Sequence, residues 1–144
     1  MRPEARQRLE LASGLEAMLS HPETLIAYLD RAGVERAALI NYVAPEIIGY
    51  TEASNDFVAE FVRADPERLI AVGGIGARHP SPGARIRELV EHRGIRAIKI
   101  HPPHQRLNPN AYRTGEWPEL REVYETLERF EVPVIFHTGT SVFP

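Results

Sequence analysis

Four short apolar runs, rich in β-branched residues, recur along the chain at intervals of roughly 30 residues. They span residues 37–43, 69–72, 95–100 and 132–136. Most of these runs are continuous and do not alternate with polar residues, which is typical of strands covered on both faces. The pattern therefore predicts four buried strands of a parallel sheet.

Amphipathic helical patterns lie between these runs. Before the first run, Ser20 and Glu23 form a capping-box pattern that predicts a helix start, and Gly33 predicts the end of that helix in a left-handed turn. The next helix carries Phe57, Val58, Phe61 and Val62 as its apolar positions and is predicted to stop near Asp65. The last two helices are predicted from Ser81 to Gly94 and from about Pro118 to Phe130. Strands and helices that alternate in this way indicate βαβ units with right-handed crossovers, and hence the α/β fold class.

The composition narrows the range of functions. The 144 residues suit one domain, and with 43% hydrophobic and 26% charged residues we expect the chain to fold. A net charge of −3 gives no electrostatic reason to bind nucleic acid or an anionic membrane. The lack of cysteine excludes disulfides, thiolate metal sites and cysteine nucleophiles. Because the charged N-terminal segment differs from a signal peptide and no apolar run is long enough to span a membrane, we expect a cytoplasmic protein.

The two outer runs, 37–43 and 132–136, are as apolar as the two inner ones. Edge strands of this kind invite pairing with another chain. The last run ends eight residues before Pro144, so the strand pattern is interrupted there. We therefore expect the chain to form part of a larger sheet.

Two of the runs change abruptly to polar residues where the predicted strands end, at His101 and at His137. In barrels and open parallel sheets, catalytic residues gather at this carboxyl end of the strands. Strand alternation places Lys99 and His101 on one face, opposite Ile98 and Ile100. In a closed barrel this polar pair would point into the mouth.

His137 allows two interpretations. A neutral imidazole at a strand end is a good ligand for a divalent metal, and Gly139 leaves room for a substrate beside it. The alternative is a structural histidine that is hydrogen-bonded at the end of a buried strand. His101 and His104 flank two prolines, which are expected to exclude a helix, so we predict a loop with His101 fixed and His104 facing solvent.

Lys99 allows three interpretations. Inside a barrel it can contact a substrate carboxylate or be carbamylated and bridge two metals, and the alternative is an ion pair with a carboxylate of a neighbouring strand. The four runs contain no acidic residue, which favours a functional role. Asn41, near the end of the first run, is expected to face the mouth and to hydrogen-bond substrate.

A small flavodoxin-like binding domain is a weaker hypothesis. Gly74 and Gly76 follow a strand, but His79 replaces the third glycine of the dinucleotide fingerprint. The sequence also lacks the nucleophile elbow of serine hydrolases, the Walker phosphate loop and the zinc-protease helix motif. Nucleotide binding is therefore the hypothesis that we rank last.

Several segments occur in the order and at the spacing of one known family. They are residues 29–37, 55–61, 65–69, 98–102 and 134–139. From about Pro22 onward the chain resembles the amidohydrolase-related family of the metal-dependent amidohydrolase superfamily, which includes aminocarboxymuconate semialdehyde decarboxylase. The resemblance implies a (β/α)8 TIM barrel, here partial, with parallel strands two to five and flanking helices, and one divalent metal, usually zinc. It also implies that His137 is the fifth-strand metal ligand and that Lys99 and His101 face the mouth from the fourth strand.

The resemblance also has gaps. The family's first strand carries an H-x-H pair of metal ligands, which nothing before Ala37 offers, and its sixth-strand histidine and eighth-strand aspartate would follow Pro144. We therefore expect residues 1–144 to form a single partial barrel domain, with 1–20 as an N-terminal helical insertion and 21–144 as the barrel segment.

The function implied by the resemblance is that of a metal-dependent hydrolase or non-oxidative decarboxylase (a lyase) that acts on a small, carboxylated molecule. We expect an incomplete chain that is inactive alone, because catalytic zinc normally has three or more protein ligands. Lys99, His101 and Asn41 are then the candidate substrate contacts, and no residue is assigned as the catalytic acid or base. The alternative is a stand-alone half-barrel interaction module that self-associates as a homo-oligomer, without catalysis.

Overall fold

The computed structural model describes residues 13–76 and 78–141. Two helices, α1 (Ser13–Ser20) and α2 (Pro22–Ala32), precede the first strand, β1 (Ala37–Ile40). The remaining elements are α3 (Ala53–Phe61), a 3₁₀ helix (Val62–Ala64), β2 (Leu69–Gly74), α4 (Pro82–Arg93), β3 (Ala97–Ile100), α5 (Pro102–Gln105), α6 (Ala111–Thr114), α7 (Glu119–Arg129) and β4 (Val134–Phe136). Each strand after the first is therefore reached through at least one helix.

The four strands form one parallel sheet whose spatial order, β1-β2-β3-β4, is also their order along the chain. The register pairs Ile40 of β1 with Val72 of β2, and Lys99 of β3 with Ile135 of β4. The predicted α/β class and the four-stranded parallel sheet are confirmed. The sheet is a half-barrel, which is consistent with part of a (β/α)8 barrel.

The helices pack on one face of this sheet and enclose the main hydrophobic core. Ile98 and Ile100 of β3 are buried in it. Other fully or nearly fully buried members are Val58, Leu69, Ile86, Leu89, Leu120, Val123 and Leu127. Each large aliphatic side chain buried in this way contributes roughly 1.5–3 kcal/mol, so the helical layer is the main source of stability. Among the described residues, no helix combines the length and apolar character that a membrane span requires.

The strand ends differ from the predicted ones. β1 stops at Ile40, because the chain that follows crosses over the end of β2. A Cβ atom on Gly74 would lie 2.5 Å from Tyr42 Cα, so the crossing requires glycine at this position. β2 continues to Gly74, two residues past its predicted end at Val72.

The helix ends are predicted correctly where glycine sets them. Gly33 and Gly94 follow α2 and α4 with φ angles of 66° and 68°, in the left-handed conformation expected of them. The predicted capping box is wrong. Ser20 ends α1, and the residue that precedes α2 is His21, which makes no side-chain capping bond. Pro22 occupies the first turn of α2, where its missing N–H removes one of the donors that a cap would satisfy.

Two other helices, α3 and α7, and the N-terminal segment were also predicted from the sequence. α3 begins at Ala53, and the 3₁₀ helix that continues it ends at Ala64, next to the predicted stop near Asp65. The Phe57 side chain is 59% exposed and does not form part of a buried stripe. The helix predicted from about Pro118 to Phe130 is confirmed as α7. Of the proposed insertion 1–20, the part from Ser13 to Ser20 is helical, and residues 1–12 lie outside the described part of the chain.

Candidate active site

The carboxyl ends of β3 and β4 bring two histidines together. Ile98 and Ile100 point into the helix-covered core, so alternation turns Lys99 and His101 to the opposite, inner face, as predicted. The amide of His137 donates to Ile100 O at 3.1 Å, which fixes His137 beside the end of β3. The rings of His101 and His137 stack with centroids 4.0 Å apart and planes 10° apart.

His104 joins this group, contrary to the sequence-based prediction. The two prolines start the short helix α5 instead of preventing it, because proline at the first helical positions lacks only an N–H that needs no partner there. The turn of α5 carries His104 back over His101, with ring centroids 3.7 Å apart. His104 is therefore buried and does not face solvent. His101, expected to be fixed, also accepts the amide of His104 at 3.4 Å as the N-cap of α5.

Polar contacts hold the three-histidine cluster (His101, His104 and His137) in place. Tyr42 Oη lies 2.9 Å from His104 Nδ1, and Ser141 Oγ contacts His104 Nε2. Gln105 accepts the amide of His101 at 2.9 Å and donates to a β2–α4 loop carbonyl at 2.7 Å. The cluster is thus tied to the β1–α3 loop, to α5 and to the segment after β4.

The surroundings favour neutral side chains. Burial, followed by the charges of His104, His137 and Lys99, lowers the pKa of His101 from 6.5 to about 4. Burial also lowers the pKa of His104 and of Lys99. Burial raises the pKa of Tyr42 to about 12, helped by the charge of Tyr50. At neutral pH the three-histidine cluster is therefore centred on an uncharged His101.

The position of this cluster, at the carboxyl edge of a parallel half-barrel, is where barrel enzymes carry their chemistry. Comparison with protein families gives a match to the amidohydrolase family model over residues 10–144. The chain belongs to the amidohydrolase family. Comparison with curated proteins gives no match. The superfamily is generally metal-dependent, so the amidohydrolase site must be tested for its fit to a metal ion.

The described residues of the amidohydrolase chain do not make a complete metal site. No three histidine, aspartate or glutamate side chains converge on a common point within residues 13–76 and 78–141. The rings of the three-histidine cluster are stacked nearly parallel, so the nitrogen lone pairs, which lie in the ring planes, do not meet at one ion. His137 Nε2 lies 3.2 Å from Thr140 O, so Nδ1 is the ring nitrogen that remains for a metal ion.

Lys99 lies on the inner face of the sheet, largely buried. Among the described residues, no carboxylate forms an ion pair with Lys99. The alternative interpretation, a structural ion pair with a neighbouring strand, therefore has no support in this part of the chain. The side chain of Lys99 therefore lies at the inner face because of strand alternation and not because of an opposite charge.

Asn41 lies directly after β1 and is buried. Its Nδ2 donates to Asn55 Oδ1 at 2.9 Å, whereas its Oδ1 is the one buried side-chain oxygen or nitrogen of the described residues without a hydrogen-bond partner. Asn41 is one of the residues that line an apolar groove of about 550 Å³ between β1 and α3. Asn41 directly precedes Tyr42, which contacts the three-histidine cluster, and keeps one acceptor without a partner among the described residues.

Asn55 is a residue of this region that sequence reasoning missed. Its side chain is fully buried on α3, where Oδ1 accepts the amide of Gly74 at 2.8 Å and Nδ2 donates to Gly74 O at 2.9 Å. The same Nδ2 reaches Glu52 at 3.1 Å. A usable signal exists in the sequence, because Asn55 shares the helix face of Val58 and Ala59, where an apolar residue is expected.

Proposed function

We propose that this amidohydrolase chain supplies part of the mouth of a metal-dependent hydrolase or non-oxidative decarboxylase that acts on a small carboxylated molecule. The observation that carries the proposal is the meeting of Lys99, His101 and His137 at the carboxyl ends of adjacent parallel strands. Membership of the amidohydrolase family supports the reaction class.

Each residue has a proposed role. His137, which is half-buried, is one metal ligand, and zinc is the metal that we propose. Lys99, His101 and Asn41 contact substrate: the lysine through its charge, the neutral imidazole and the free Asn41 Oδ1 through hydrogen bonds. The other metal ligands come from beyond the described residues, since those residues hold no three-ligand group.

The proposal predicts weak zinc binding and no turnover by the 144-residue chain alone. Zinc titrated calorimetrically into the metal-free chain should bind with a dissociation constant weaker than about 1 μM, because one histidine does not replace three ligands. The His137→Ala variant should lose even this binding. His21→Ala removes an exposed histidine far along the sequence and should leave it unchanged. Nanomolar zinc binding, or hydrolase or decarboxylase turnover by the pure chain with zinc, would contradict the proposal.

A second candidate function is a half-barrel module that self-associates without catalysis. The observation that favours it is the open outer side of β1, where the Ile40 side chain is 55% exposed beside the apolar groove. An edge of this kind pairs readily with another chain.

A further inference from the structure

We propose that Arg78, stacked on Trp117, binds a carboxylate in the polar cavity beside the three-histidine cluster. This cavity has a volume of about 640 Å³ and is lined by Glu52, Arg78, His104, Gln105 and Trp117, among others. The inference deepens the proposed function and rests on it only for the location of the reaction centre. It assigns a place for the acid group of the ligand, apart from Lys99.

Trp117 fixes the plane of the arginine. The indole is 4% exposed, and its backbone amide donates to Ala111 O at 3.2 Å, which holds it between α6 and α7. The Arg78 guanidinium lies over the indole with its central carbon 3.9 Å from the ring centroid. A guanidinium held in this way keeps its N–H groups available at its edge while one of its faces is covered.

The charges around the cavity leave Arg78 uncompensated. Glu52 accepts from Arg85 Nε and from the amide of Gly76, both at 3.0 Å. Glu46 lies 3.7 Å from Arg106, so these two rim charges offset each other. No carboxylate of the described residues pairs with Arg78. The cavity therefore carries one positive charge that lacks a protein counter-ion.

One uncompensated positive charge selects a monoanion. A carboxylate carries one negative charge and has the planar, two-oxygen edge that a guanidinium binds with two parallel hydrogen bonds. A phosphate group carries about −1.5 to −2 at pH 7, which exceeds the single positive charge that Arg78 offers. Because His104 lines the same cavity, the rest of a ligand bound to Arg78 extends toward the three-histidine cluster.

Trp117 is the single tryptophan of the chain, so its fluorescence reports on this cavity alone. The full chain, without metal, is titrated with cyclohexanecarboxylate and with the neutral cyclohexanecarboxamide. We expect a saturable fluorescence change with the carboxylate and none with the amide. Arg78→Gln should weaken carboxylate binding at least tenfold, and Arg78→Lys, which keeps the charge but not the planar edge, should weaken it less.

Arg31→Gln is the matched control, since it removes the same charge from an exposed position on α2 and should leave the affinity unchanged. Circular dichroism and thermal unfolding establish that each variant is folded. The proposal is overturned by an equal response to acid and amide, by no saturable response, by tighter binding of inorganic phosphate, or by unchanged affinity in folded Arg78→Gln. Because this titration contains no metal, the carboxylate-binding proposal can fail while the zinc-binding proposal holds, and the reverse.

Discussion

At the scale of single residues, burial without opposite charges is what distinguishes the candidate site. His101 is 6% exposed, and two of its three stacking partners, His104 and His137, are imidazoles whose protonation would repel its own. The folded chain therefore resists adding a proton to His101, whereas the unfolded chain accepts one at the ordinary pKa of about 6.5. This difference links the stability of the chain to pH.

The stability of the metal-free chain should fall as the pH drops from 6.5 to about 4. In this window the unfolded state binds a proton that the folded His101 does not, since the pKa of folded His101 is about 4. The free energy of unfolding therefore rises with pH through the window, and the His101 contribution is about 3–4 kcal/mol at about 1.4 kcal/mol per pKa unit. Urea unfolding measured across the window tests this.

His101→Asn is the matched variant, since asparagine can still accept the amide of His104 at the N-cap but does not titrate. We expect a shallower pH dependence for the variant than for the parent chain. Equal slopes for the two would show that His101 is not the responsible group.

The residue scale also shows what alternation can and cannot predict. The opposite directions of Lys99 and Ile98 follow from strand geometry alone and are predictable. The burial of His104 is not, because the ring is covered by His101 and by Tyr42, and the contact with Tyr42 joins residues far apart in sequence. The stacking of Arg78 on Trp117 is likewise a meeting of residues far apart in sequence, and it escaped the prediction.

At the scale of elements, the end of β2 is the place where β1, α3 and the following loop are joined. Gly74 is bonded on both its amide and its carbonyl by Asn55 of α3, and the backbone of Tyr42 and Val43 passes within 3 Å of the position of a Cβ atom. Because the neighbouring atoms belong to the backbone, they cannot move aside by a change of rotamer. The contact therefore requires a glycine.

Gly74→Ala should destabilise the chain by about 1–3 kcal/mol, because the added methyl group forces the Tyr42 segment away from β2. Gly76→Ala is the matched control: a Cβ atom there would meet nothing nearer than 3.7 Å, so the change should be within about 0.5 kcal/mol. Thermal or urea unfolding of both variants gives the comparison. A similar loss for the two would contradict the close approach at Gly74.

The same contact explains why the sequence predicts the ends of α2 and α4 but not the end of β1. The ends of α2 and α4 depend on Gly33 and Gly94, whose signals are local in the sequence. The end of β1 depends on the crossing at Gly74, more than 30 residues away along the chain, so an apolar run that continues to Val43 predicts a strand that is too long.

At the scale of the whole molecule, no strand of residues 13–76 and 78–141 pairs with the outer side of β1 or of β4. On the β1 side, Ile40 and Phe57 are more than half exposed, and on the β4 side the side chain of Phe136 is 37% exposed. Parallel strands are normally covered on both faces and paired on both sides. Either edge is therefore a surface through which another chain segment or another copy can be bound.

If self-association occurs through the β1 edge, Ile40→Lys should weaken it at least tenfold, because an inward or edge lysine opposes strand pairing. Sedimentation velocity across a concentration series measures the effect. Tyr28→Lys, at a comparably exposed apolar position on α2, is the control that should leave association unchanged. A parent chain that is monomeric throughout the series would reject the self-associating module as a function.

The order of strands in the sheet has a consequence for how the chain is made. Since β1, β2, β3 and β4 pair in the order of synthesis, each of β2, β3 and β4 finds a partner strand already present when it leaves the ribosome. Each βα unit can then be added to a preformed surface, and loop closure involves only the unit being added. The nascent polypeptide can consolidate stepwise from its N-terminal side while translation continues.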